Sequence, residues 1–149
     1  MTNRALSIAA LVSILAIFAC DFGDSRTIRM TVDGNEIVAG NARIAISREG
    51  DQYYVLLVTK KPVVKIVWKA RFKDVDRWRG MKYRADKFKV EYSGKNLHFE
   101  EPDVGVIIEI TDVSGDFVSG KFSGPIGVGG GSHRVDNGTF RAPAEFWNR

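Results

Sequence analysis

The chain has 149 residues, a formal net charge of +4, 44% hydrophobic residues and a single cysteine. That length suits one domain, which buries roughly two thirds of the surface its unfolded chain exposes. A lone thiol excludes an internal disulfide, so the fold must stand on its apolar core, and only two histidines are present to build a metal cluster. In chain order, Arg4 supplies a positive start, and Ala5 to Ala19 is an uncharged apolar run ending in a small residue just before Cys20. This pattern predicts a secretion signal; the run falls short of the roughly 20 residues that a membrane-spanning helix needs. Residues 1–19 are therefore read as a signal peptide, 20–26 as a polar tether and 27–149 as a single β domain.

From Thr27 to Asp33 the chain alternates, with Ile28, Met30 and Val32 on one face, the period of a strand. Asp33-Gly34-Asn35 is a turn signal, because Gly and Asn tolerate positive φ, and Glu36 to Ala39 returns as the partner strand. After Gly40-Asn41, Ala42, Ile44 and Ile46 share a face, and another hairpin follows through Glu49-Gly50-Asp51. Tyr53 to Thr59 is apolar on both faces, which predicts a strand in the middle of a sheet, covered on both sides. Beyond Lys60-Lys61-Pro62 the alternation is cleanest: Val64, Ile66, Trp68, Ala70 and Phe72 point one way, and Lys65, Val67, Lys69, Arg71 and Lys73 the other.

Asp74 to Asp86 reads either as a short helix capped by Asp74 and anchored by Trp78, or as an irregular crossover. Phe88, Val90 and Tyr92 resume the alternation, Ser93-Gly94-Lys95-Asn96 turns the chain into Leu97 to Glu101, and Val104 to Asp112 points Val106, Ile108 and Ile110 inward. Phe117 to Ser123 is a further strand, Gly124 to Ser132 a loop with five glycines, and Arg134 to Arg141 the last hairpin arm. Short strands separated by turn signals predict an all-β fold, an antiparallel β-sandwich or small barrel of about 8–10 strands. The terminal Phe146-Trp147-Asn148-Arg149 either caps the sandwich or meets a partner.

Two resemblances bear on location. Ile17-Phe18-Ala19-Cys20 resembles the lipobox of bacterial lipoproteins, which implies that Cys20 is lipidated with acyl chains such as palmitate, becomes the first mature residue and anchors the domain to a membrane of the bacterial cell envelope. The alternative is an ordinary secretory signal cut near Ala19, with the thiol free or paired between chains. Asp21 favours inner-membrane retention where sorting reads the residue after the cysteine, and the choice of membrane stays open. Ile28 to Ala39, together with Phe117 to Gly124 and Val135 to Phe140, looks like the opening and closing hairpins of small exported bacterial lipoproteins of unassigned function. That resemblance implies one β-sandwich and carries no catalytic or ligand residues.

Catalytic patterns are sparse. His98 and Glu100 share a strand face, a candidate metal pair or a solvated face. Ser114, Ser119, Ser123 and Ser132 sit in no nucleophile elbow. The glycine loop lacks the Lys-Ser/Thr ending of a phosphate loop, and nothing places two of Glu100, Glu101, Asp103 and Glu109 across a cleft. No catalytic residue, cofactor or metal is assigned.

Charge is the feature with functional content. Lys60 to Lys89 holds twelve Lys or Arg against three carboxylates, whereas Leu97 to Asp116 holds six carboxylates and no Lys or Arg. The ladder Lys65, Lys69, Arg71 and Lys73, interleaved with aromatics, suits anionic lipid, lipopolysaccharide or an acidic protein partner; equally, cations opposite a buried face keep an exposed strand soluble. Export argues against nucleic acid. The expectation is a non-enzymatic, lipid-anchored binding or scaffold domain, with an anchored or secreted inhibitor or partner-binding protein as the alternative and a hydrolase behind both.

Overall fold

Residues 26–129 and 131–147 are described in the computed structural model. They form eleven strands, β1 (Thr27–Val32), β2 (Asn35–Gly40), β3 (Arg43–Glu49), β4 (Gln52–Lys60), β5 (Val63–Ala70), β6 (Lys82–Arg84), β7 (Lys87–Tyr92), β8 (Lys95–Glu100), β9 (Ile107–Ser114), β10 (Phe117–Ile126) and β11 (His133–Phe146), with one turn of 3₁₀ helix at Val75–Trp78. The fold is all-β and sandwich-like. Eleven strands exceed the expected eight to ten, and the strand path is open, so the barrel alternative does not form.

Alternation decides which side chains turn inward. Ile28, Met30 and Val32 of β1, Ile44 and Ile46 of β3, Ile66, Trp68 and Ala70 of β5, Phe88 and Val90 of β7, and Ile108 and Ile110 of β9 are all buried. Turn chemistry decides where the strands reverse. Asp33-Gly34 (φ 50° and 82°) and Ser93-Gly94 (φ 48° and 75°) hold positive φ at both central positions, the geometry whose twist matches the flanking strands.

One layer has the order β2-β1-β11-β10-β9-β6 and the other β11-β3-β4-β5-β7-β8, so the 14-residue β11 belongs to both. Its first part pairs with β1 and β10. Its last residues, Ala144 to Phe146, pair with Ile44 to Ile46 of β3, and in parallel. The direction has a topological cause. β2 and β11 both run antiparallel to β1, so they leave the first layer at the same end and feed β3 and the tail of β11 into the second layer side by side.

The second layer crosses the first. Lys95, at the start of β8, influences Asp33 in the β1–β2 turn, Phe99 lies 5.9 Å from the His133 ring at the start of β11, and Val104 bridges Ile126 at the end of β10. Successive residues from β8 onward therefore meet the ends of successive first-layer strands, the crossed packing in which a strand that switches sheets makes the corner. Trp68 joins the layers, fully buried, with its ring 6.2 Å from Tyr83 and 6.3 Å from Phe140. Beneath it, Gly120 faces Phe140 and Gly138 faces Phe122 across β10 and β11. A Cβ on Gly120 would come within 2.5 Å of the Phe140 ring, so these glycines leave room for the two phenyl rings.

Several expectations change. β5 ends at Ala70, and Phe72 is only half-buried, so the alternation does not carry through to Lys73. The outer face of β4 is half-exposed at Tyr54, Leu56 and Val58 instead of covered; its apolar residues match apolar Ala45 and Val67 on neighbouring strands. Asp74 caps a 3₁₀ turn by accepting from the Asp76 amide at 3.0 Å, and Trp78 is its buried anchor, donating from Nε1 to the Phe72 carbonyl at 2.9 Å. β10 continues through Gly124 to Ile126, because Gly105 donates to the Pro125 carbonyl at 2.8 Å and extends the pairing. In the tail, the Trp147 amide donates to the Ile46 carbonyl at 2.8 Å, yet Phe146 and Trp147 are 44% and 59% exposed. The backbone docks and the rings do not cap. Asn148 and Arg149 lie outside the described residues.

Candidate functional site

The outer face of the second layer is built by the residues that alternate with its core. β3 contributes Arg43, Ala45 and Ser47; β4 Tyr54, Leu56, Val58 and Lys60; β5 Val63, Lys65, Val67 and Lys69; β7 Lys87, Lys89 and Glu91; β8 Asn96, His98 and Glu100. Register places Arg43, Val58, Lys65, Lys89 and His98 in one row across five strands, and Ala45, Leu56, Val67, Lys87 and Glu100 in the next. Arg43, Lys60, Lys65, Lys69, Lys87 and Lys89 stand on this face against Glu91 and Glu100.

Pairing divides the face in two. Toward the β7–β8 edge, Lys87 and His98 both approach Glu100 at 3.8 Å, Lys89 meets Glu91 at 3.3 Å, and Lys69 reaches Asp86 at 3.8 Å while lying 5.6 Å from the Tyr54 ring. Arg43, Lys60 and Lys65 have no ion pair among the described residues. Lys65 sits directly opposite Lys89, a like-charge cross-strand pair that costs stability. The face offers cationic donors around a small apolar centre of Ala45, Leu56 and Val67, an arrangement suited to attracting anions by charge and donating hydrogen bonds to them.

The structure divides the ladder expected from sequence. Lys65 and Lys69 share the outer face. Arg71 and Lys73 lie beyond β5, with Lys73 5.2 Å from the Phe146 ring, because the strand ends before them. Arg43, Lys87 and Lys89 take their place. Their outward direction was legible in the alternation of β3 and β7, but their adjacency to Lys65 depends on strand order. Cys20 and its lipobox lie outside the described residues.

Folding pairs three carboxylates of the acidic stretch with cations, Glu100 and Asp112 with the basic stretch and Glu109 with Lys121 beyond it. Arg79 donates to the Val113 carbonyl at 2.6 Å and lies 3.7 Å from Asp112, and Glu109 pairs with Lys121 at 3.7 Å. His98 and Glu100 form an exposed ion pair shared with Lys87. Among the described residues, no group of three His, Cys, Asp or Glu side chains is placed to hold a metal ion.

Two carboxyl groups stand out electrostatically. Burial pushes the Asp86 carboxyl up, and the neighbouring Glu101 carboxylate adds to the shift against the pull of Lys69 and Lys87; its Oδ2 is buried without a hydrogen bond. Asp33 moves the other way. Its hydrogen bond with His133, at 2.5 Å, and the Arg134 amide donating to Oδ1 at 2.8 Å hold its carboxyl below the usual range. This Asp33–His133 pair was not read from sequence, since its partners are a hundred residues apart. It ties the β1–β2 turn to the start of β11, and no nucleophile is hydrogen-bonded to the imidazole among the described residues.

Compared with protein-family models, curated proteins and solved structures, the chain matches none.

Proposed function

We propose that this protein is a non-enzymatic, lipid-anchored binding domain of the bacterial cell envelope that docks on an anionic surface through the outer face of its second layer. The observation that carries the reading is the row Arg43, Val58, Lys65 and Lys89, in which Lys65 and Lys89 are set side by side on an open face at a cost to stability and Arg43 adds a third cation one strand beyond Val58. Departures from local sheet rules of this kind are expected at functional sites. The position of the tether supports it. The Ala42 amide donates to the Arg26 carbonyl at 3.1 Å, so the first described residue adjoins the start of β3. Five residues, Asp21 to Ser25, lie between Cys20 and Arg26, a reach of about 20 Å when extended, enough for an anchor at Cys20 to hold this face against its own membrane.

The test uses the chain from Asp21 onward, which carries all eleven described strands, with vesicles of phosphatidylglycerol or phosphatidylcholine. Binding is expected to the anionic vesicles alone, to fall steeply with salt and to weaken at least tenfold in Arg43→Glu/Lys65→Glu, at about 1 kcal/mol for each cation near the surface. Binding indifferent to salt and to these reversals refutes the docking face. The anchor is tested apart from it: the full chain should carry acyl mass and fractionate with membranes, and its Cys20→Ser variant should do neither.

A protein partner is the second reading, favoured by the exposed Phe146 and Trp147 rings beside Lys73. Large exposed aromatics mark contact sites, and an anchored or secreted inhibitor would use them. Loss of partner capture in Phe146→Ser/Trp147→Ser, with vesicle docking unchanged, would favour it.

A further inference from the structure

At one end of the second layer the β4–β5 and β7–β8 turns flank an open groove of about 510 Å³, lined among others by Lys60, Lys61, Glu91, Tyr92, Lys95 and Asn96. Its size falls within the range of small-molecule sites. Three lysines line it from two separate turns, and none has an ion pair among the described residues. Its one carboxylate, Glu91, is engaged by Lys89 at 3.3 Å. Lys95 lies 5.8 Å from the Tyr92 ring, and its charge is also felt at Asp33.

Both turns are held in shape. Thr59, a buried polar residue only 2% exposed, donates to the Pro62 carbonyl at 2.7 Å and accepts from the Val64 amide at 3.0 Å, which staples Lys60-Lys61-Pro62. Across the groove, Ser93-Gly94 forms its tight turn with Tyr92 paired to Lys95. A ligand therefore has side chains to order but no loops, which lowers the cost of binding.

We propose that this groove binds the phosphomonoester of a phosphorylated sugar. Three lysines and one glutamate give the lining a net charge of +2, which matches the −1.5 to −2 of a phosphomonoester at neutral pH. The half-buried Tyr92 ring offers a flat wall to a sugar ring, and Ser93 and Asn96 offer hydrogen bonds to its hydroxyl groups. The proposal rests on the docking reading only for one of two sources of this chemistry, a phosphorylated glycolipid headgroup; the other is a free sugar phosphate.

The experiment is a titration of the ¹⁵N-labelled chain from Asp21 onward, followed by amide shifts, with glucose 1-phosphate, glucose and inorganic phosphate. Glucose 1-phosphate should shift the amides of residues 60–63 and 92–96 saturably and bind about tenfold more tightly than inorganic phosphate, with glucose weakest. Lys60→Ala and Lys95→Ala should each weaken it about fivefold. Arg43→Glu, on the docking face outside the groove, should leave it unchanged while weakening vesicle docking. Displacement of glucose 1-phosphate by vesicles bearing a phosphorylated glycolipid supports the headgroup as source, and saturable binding without displacement supports a free sugar phosphate. Equal affinity for inorganic phosphate, shifts spread along the outer face, or indifference to Lys60→Ala and Lys95→Ala overturns the proposal. Vesicle docking that persists when glucose 1-phosphate fails to bind separates the failure of the groove from that of the docking face.

Discussion

The two outer faces of this sandwich are made from the same kinds of residue and differ in how the strands set them beside one another. On the first layer, register runs Arg29, Thr139, Lys121, Glu109 and Lys82 across the sheet, so Glu109 separates two lysines and pairs with Lys121 at 3.7 Å. On the second, Lys65 faces Lys89 with no carboxylate between them. Alternating charge satisfies a sheet face internally, whereas the second layer keeps cations unspent. A formal charge of +4 does not reveal this, because it is the order of charges across strands that leaves one face with a field to offer.

The largest expected effect breaks both faces together. Trp68 stacks on Tyr83, meets Phe140 at a tilt and joins the layers, so Trp68→Ala should cost about 3–5 kcal/mol, measured by denaturant unfolding, and loosen docking face and groove alike. Lys65→Glu is a smaller change that sharpens the contrast. It turns the Lys65–Lys89 opposition into an attractive cross-strand pair and should raise stability by roughly 0.2–1 kcal/mol while weakening vesicle docking. Stability that falls in this variant would remove the argument that the row carries a cost.

The smallest effects are in pH dependence, where two carboxyls act with opposite sign. The folded state holds Asp33 below the usual carboxylate range, so its contribution is present at neutral pH and is lost as pH falls through the depressed folded value. Asp33→Asn should lower the melting temperature at neutral pH and converge with the parent chain in strong acid. Asp86 is raised, so the folded state holds its proton more tightly than the unfolded state, and stability declines as pH rises from the usual carboxylate value through the raised one. Asp86→Asn should therefore melt higher than the parent at neutral pH and match it in acid, and Glu101→Gln should recover part of that gain. A neutral-pH decrease in Asp86→Asn would show that the ion pair with Lys69 outweighs burial.

Much of the fold was legible residue by residue. The inward sets Ile28-Met30-Val32 and Ile66-Trp68-Ala70 follow from period two, and both turns were placed from their Gly-containing signals, although positive φ falls on Asp33 and Gly34 where the sequence pointed to Gly34 and Asn35. Even in the uncertain segment, Asp74 as cap and Trp78 as buried anchor were among the readings that the chemistry allowed. The candidate site was less legible. Lys65 and Lys69 were found because they alternate along one strand, but Arg71 and Lys73 were grouped with them although β5 ends at Ala70, and Arg43 and Lys89 were missed because they reach Lys65 only across strands.

By itself the sequence determined which way each side chain points from its own strand, where the chain reverses and that basic and acidic residues are segregated along it, since all three depend on neighbours a few residues away. The tertiary structure decided which strands lie side by side, that β11 crosses from one layer to the other and runs parallel to β3, and hence which cations share a face and which find carboxylates. Strand pairing joins residues such as Asp33 and His133 that are a hundred positions apart, and alternation, identical for every register that keeps the same face inward, does not encode the choice among partners.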